Sequence, residues 1–195
     1  LLIQAASAGV TAPVTSDVIT SRVPAELRDP QGHWVGLTRR ARIIYASKDR
    51  VAQNDITYEE LADTKWRGKT CSRSGQHTYN VSLVAAMIAN LGPEKAEAWL
   101  NGFKSNLARK PAGGDREQVR DVQAGLCDLA IGNTYYMVAM LKSPEQKAWA
   151  DAVKLLFPNA KDRGTHVNIT GMSLAAHAPN AANAKALMEY LVSDE

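Results

Sequence analysis

Cys127-Asp128-Leu129-Ala130-Ile131-Gly132-Asn133-Thr134-Tyr135-Tyr136 reads as a short apolar strand running into a polar stop, with two adjacent phenols where a helix begins. Neighbouring residues at a helix start do not face the same core, so packing alone does not account for the pair. The stretch sets both the fold and the place where chemistry collects: a strand, a turn, then a helix N-terminus.

The same design occurs upstream. Cys71-Ser72-Arg73-Ser74-Gly75-Gln76-His77-Thr78-Tyr79 also runs from a strand to a helix start. Around these two loops, Trp34 to Leu37, Ala41 to Tyr45, Lys69 to Arg73 and His166 to Leu174 read as strands. Thr57 and Glu60 form a capping box for a short helix. From Tyr79 the pattern turns helical, with Val81, Val84, Ala85, Ile88 and Leu91 as one face and Gly92 as the stop. Pro93 opens a second helix along Ala96, Trp99, Leu100 and Phe103. Gly113-Gly114-Asp115 caps a third, carrying Val119 and Val122. A helix started by Pro144 carries Trp149 and Val153, and Asn180 caps a last one that buries Ala184, Leu187, Met188 and Leu191. Strands alternating with helices predict an α/β layer with a largely parallel sheet.

In open α/β sheets, ligands bind beyond the carboxyl ends of strands, where helix N-termini offer free N–H groups and partial positive charge. A phenol placed there is expected to ionise more readily, and a trivalent cation would hold its proton off. Fe(III) is hard and prefers anionic oxygen. Tyr79, Tyr135 and Tyr136 are therefore the candidate ligands; the competing reading is paired aromatics whose hydroxyls find ordinary hydrogen bonds.

Composition narrows the rest. At 195 residues and net charge +3, with no block of like charges, the chain does not point to nucleic acid. Arg39-Arg40-Ala41-Arg42, its densest basic patch, reads as a solvated strand edge or an anion clamp. No apolar run reaches the roughly 18 to 20 residues of a membrane span. No nucleophile elbow, His-Glu-x-x-His or Cys-x-x-Cys is present, so nothing marks an enzyme. The Gly113-Gly114 loop lacks the Gly-Lys-Ser/Thr of a P-loop and reads as a helix cap. Cys71 and Cys127 open or close neighbouring strands, which leaves a bridge and two buried thiols both open.

Four segments, Arg73 to Asn80, Asn106 to Pro111, Gly125 to Tyr136 and Gly164 to Gly171, together resemble the periplasmic ferric-iron-binding proteins of ABC transporters, in the right order and over essentially the whole chain. The resemblance implies a class II periplasmic-binding-protein fold, two lobes joined by crossing strands. Residues 1–42 would give part of lobe I and the first crossing strand, 43–165 lobe II, and 166–195 the second crossing strand and return to lobe I. It implies Fe(III) as cargo, held by Tyr135 and Tyr136 with Tyr79 as the further tyrosine of a multi-tyrosine subgroup. Arg39 matches the family's arginine near the iron. Asn133, Ser74 and Gly75 are the expected site for an accompanying carbonate or other small anion.

The resemblance further implies a monomer in the periplasm that hands its ion to an inner-membrane ABC permease, without direct membrane insertion. An oxidising compartment favours a Cys71–Cys127 disulfide. In the family, a histidine or tyrosine from the first strand completes the site; that segment and the C-terminal portion are expected to lie outside this chain. The rival reading is a binder of the same fold that takes an oxyanion or small organic solute without metal.

Overall fold

The computed structural model describes Leu1–Asp194. In chain order the elements are α1 (Leu2–Ser7), β1 (Thr11–Ala12), α2 (Asp17–Arg22), β2 (Val35–Ser47), β3 (Thr70–Cys71), α3 (Thr78–Leu91), α4 (Pro93–Ser105), α5 (Asp115–Gln123), β4 (Leu129–Asn133), α6 (Tyr135–Leu141), α7 (Lys147–Asp151), β5 (Val153–Leu156), β6 (Val167–Met172), β7 (Leu174–Ala175) and α8 (Ala181–Leu191). The chain divides into two compact units, Leu1–Arg39 with Ile169–Glu195, and Arg40–Asn168. Among the described residues no helix is long and apolar enough to cross a membrane.

The smaller unit packs α2 against α8 through Ile19, Val23, Val35 and Met188. Ser16 caps α2, accepting from the Ile19 amide at 3.3 Å, and donates to Glu189 Oε1 at 2.6 Å. β1 pairs antiparallel with β7. Only Met188 of α8 is buried; Leu187 and Leu191, expected inside, are about half exposed.

The larger unit is built on a five-stranded sheet ordered β3-β4-β2-β5, with β6 also on β2. Side chains alternate across β2 because successive residues of a strand face opposite ways. Ile44 and Ala46 join Leu83, Met87, Trp99 and Phe103 on the face covered by α3 and α4. Ile43 and Tyr45 join Val119, Val122, Met140 and Ala150 on the face covered by α5, α6 and α7. Helices thus cover both sides of one sheet, which is why its strands are apolar on both faces.

Four readings of the sequence need correction here. The sheet is mainly antiparallel: β2 pairs antiparallel with both β4 and β5, and β3–β4 is the parallel pair in its main path. That pair joins strands linked by the helical crossover α3 to α5, and such a crossover brings the second strand back in the same direction. β2 and β5 pair with strands that are not their sequence neighbours, so helix–strand alternation did not constrain them. Val153 begins β5, because its place beside Ser47 at the sheet edge prevails over the four-residue spacing from Trp149. The inward face of α3 reads Asn80, Leu83 and Met87, with Val81 and Ile88 exposed, so it is turned from the face expected. Trp34 to Leu37 and Ala41 to Tyr45 merge into the single strand β2.

Candidate metal site

Tyr79 is the second residue of α3, whose start is capped by His77: its Nδ1 accepts from the Tyr79 amide at 3.3 Å, and its ring stands edge-on to the Tyr79 ring at 4.4 Å. Tyr135 and Tyr136 open α6, directly after β4. Parallel pairing of Thr70 with Leu129 and Cys71 with Ala130 brings the two strand ends side by side. The hydroxyls of Tyr79 and Tyr135 are 3.0 Å apart. The Tyr136 hydroxyl is near enough to both to affect their titration, so three phenol oxygens gather beyond the ends of β3 and β4. The Tyr135 and Tyr136 rings lie 4.3 Å apart, tilted by 36°.

The surroundings are cationic. The guanidinium carbons of Arg40, Arg42 and Arg73 lie 5.8, 5.6 and 5.2 Å from the Tyr79 ring centre, and that of Arg116 lies 5.6 Å from the Tyr136 ring centre. Arg42 is almost wholly buried and donates to Asp115 Oδ2 at 2.6 Å, Asn80 Oδ1 at 2.7 Å and Asn133 Oδ1 at 3.1 Å. Its Nε makes no hydrogen bond. Burial pushes the Arg42 guanidinium below its ordinary pKa against the pull of Asp115. His166 bonds Ser82 Oγ through Nε2 at 3.0 Å, and burial with Arg42 nearby lowers its pKa, favouring the neutral ring.

Helix N-termini do not win the protonation of these phenols. The pKa of Tyr79 is raised, first by donating to Tyr135 and then by burial. Tyr135 is raised by burial and by its bond to Tyr136. Tyr79 and Tyr135 therefore keep their protons until a cation takes the proton's place. Among the described residues no group of three or more His, Cys, Asp or Glu side chains is placed to hold a metal, so phenolic oxygen is the clustered hard donor.

Asn133 is buried and tied on three sides: its side chain accepts from Arg42 at 3.1 Å, its amide donates to Asp115 Oδ2 at 2.8 Å, and its carbonyl accepts from Tyr45 at 2.6 Å. Ser74 and Gly75 sit in an exposed turn, where Ser74 Oγ accepts from the Gln76 amide at 3.2 Å. Arg39 is exposed and belongs to the smaller unit; the arginines on the Tyr79 ring are Arg40, Arg42 and Arg73. Those three, with Asp115, were missed in the sequence, although Arg40 and Arg42 stand two apart in a strand and so share one face. Cys71 and Cys127 form a disulfide, with Cα atoms 5.9 Å apart.

Fold and site together define a periplasmic-type binding protein of class II. Residues 1–195 match the model of the bacterial extracellular solute-binding proteins, and the chain belongs to that family. It is 46% identical over 189 residues to iron uptake protein A1 of Synechocystis sp., covering 95% of this chain and 52% of that protein. The solved structure of a Bordetella ferric binding protein is 50% identical with a TM-score of 0.92, over 99% of this chain and 62% of that one. A Trichodesmium protein solved in complex with iron and citrate ligands is 43% identical, also at a TM-score of 0.92, over 97% of this chain and 61% of its own. This chain therefore spans little more than half the length of the curated relatives it matches.

Proposed function

We propose that this chain carries the phenolic half of an Fe(III) site in a solute-binding protein, with Tyr79, Tyr135 and Tyr136 as ligands. The observation that carries the reading is the convergence of three phenol oxygens, with the Tyr79 and Tyr135 hydroxyls 3.0 Å apart, at the N-termini of α3 and α6. Three phenolates neutralise a trivalent ion, and the four arginines on the Tyr79 and Tyr136 rings leave positive charge that favours an accompanying anion. Remaining coordination positions fall to water, to donors from outside this segment, or to carbonate or another small anion, with Asn133, Ser74 and Gly75 as the candidate anion contacts within the larger unit. The relatives described in words as iron uptake and ferric binding proteins support the same cargo.

Binding of this kind needs no catalysis: the protein captures the ion in the periplasm, as a monomer, and passes it to an ABC permease. Ferric tyrosinate absorbs visible light, so iron-loaded protein is expected to be coloured. Tyr135→Phe combined with Tyr136→Phe should weaken the colour and lower ferric affinity; unchanged colour and affinity would overturn the assignment.

A second reading is favoured by the recess lined by Arg40, Arg42, Ser82, His166 and Asn168, where the Arg42 Nε–H is unpaired: an oxyanion or small organic solute bound without metal. Titration calorimetry with ferric citrate against phosphate and sulfate separates the two.

A further inference from the structure

Asp115 is the first residue of α5, and its side chain is wholly shielded from solvent. Gly113, at φ 71°, turns the chain into that helix, and Glu117 rather than Asp115 caps it, accepting from the Gly114 amide at 2.8 Å. The carboxylate of Asp115 spends its side-chain hydrogen bonds on distant parts of the chain. Oδ2 accepts from Arg42 Nη1 at 2.6 Å and from the Asn133 amide at 2.8 Å; Oδ1 accepts from Arg73 Nη1 at 3.1 Å. Those donors come from β2, from the end of β4 and from the segment after β3. Each stands next to a phenol. Arg42 and Arg73 lie against the Tyr79 ring, and Asn133 ends β4 two residues before Tyr135 opens its helix.

We propose that Asp115 is the positioning residue of the tyrosine cluster. One buried carboxylate holds the two arginines beneath Tyr79 and the strand end that delivers Tyr135, and so sets the spacing of the phenols. An N-cap role would leave the side chain at its own helix; this one reaches across three elements. The disulfide joins the end of β3 to the residue two before β4, and Asp115 ties Arg73, just beyond β3, to Asn133 at the end of β4. The proposal rests on the tyrosinate reading above.

The test compares Asp115→Asn with Asp121→Asn. Asp121 is a second buried carboxylate of α5, paired to Arg109 Nε at 2.8 Å and Arg120 Nη2 at 3.0 Å, in contacts that do not involve the tyrosines. Ferric affinity is measured by competition with citrate, the visible absorption band at saturating iron, and thermal stability for each. Asp115→Asn is expected to lower affinity by about 10- to 100-fold, the usual cost of losing a group that orients metal ligands, and to shift or weaken the band. Asp121→Asn should lose stability but keep both the affinity and the band. Wild-type affinity and band in Asp115→Asn, or an equal loss in Asp121→Asn, overturns the proposal. Should Asp115→Asn fail to fold, Arg73→Gln removes one contact of the same carboxylate from a more accessible side chain; an altered band supports the proposal, and an unchanged one sinks it. Wild-type protein that takes up no iron fails the tyrosinate reading itself, and this proposal with it.

Discussion

The hydroxyl of Tyr45 donates to the carbonyl of Asn133 at 2.6 Å, so a side chain near the end of β2 satisfies the buried last carbonyl of β4 just before the tyrosine helix starts. The ring of Tyr45 lies against Gly132, where an added Cβ would come within 2.4 Å of Cε2. Tyr45→Phe leaves a buried carbonyl unpaired and should cost about 1 to 3 kcal/mol in urea unfolding. Gly132→Ala should cost more, because the ring has to move out of a packed core.

Alkaline stability follows from the same residue and from Tyr58. Burial raises both phenols above their ordinary value of 10.0, and each donates to a buried carbonyl, Tyr58 to that of Arg42. A raised folded-state pKa means the native protein keeps its protons longer than the unfolded chain. The stabilisation is complete below the unfolded value and drains away as pH climbs above it. Urea midpoints should therefore be flat to about pH 9 and fall steeply beyond about pH 10. Tyr58→Phe should flatten part of that fall.

Ferric binding should carry the opposite pH sign. Tyr79 and Tyr135 hold their protons more firmly than free phenols, so an incoming ion must displace them. Affinity is expected to drop by about one log unit for each unit that pH falls, per proton released, once the competitor's own titration is subtracted. Binding that is indifferent to pH between about 6 and 8 would show that phenols are not the ligands.

Removal of the disulfide tests how the two tyrosine-bearing strands are tied. Cys71 and Cys127 are 56 residues apart in sequence, and opening a loop of that size should cost about 4 kcal/mol on the chain-entropy account. Thermal melts of the Cys71→Ser/Cys127→Ser protein should show a large fall in Tm. Melts that coincide with the unmodified protein would mean the unfolded chain is no freer without the bridge.

The tyrosine loops were legible because a strand end, a polar stop and a helix start are all local signals. The capping box at Thr57 and Glu60 was legible for the same reason, and its reciprocal bonds of 3.0 and 3.2 Å are present. What escaped was non-local. Arg42, Arg73 and Asp115 meet only after three separate elements have packed, and Asp115 in isolation looks like any acidic residue in a first helical turn. Strand direction escaped too, because periodicity tells which residues face a core and not which strand lies alongside. The exposed Leu187 and Leu191 make the same point: a helical stripe of apolar residues marks a candidate face, while burial depends on what arrives to cover it.

The disulfide and the Tyr79–Tyr135 contact each join residues 56 apart, and the parallel register of β3 and β4 runs between them. All three closures therefore enclose essentially one loop, the excursion through α3, α4 and α5. Its entropy is charged once: after the bridge has formed, bringing the phenols together adds little further cost, since closure scales only with the logarithm of length. Lengthening the surface turn between α4 and α5 should then leave the tyrosine cluster almost untouched, while a single-residue slip of β3 against β4 would dismantle it.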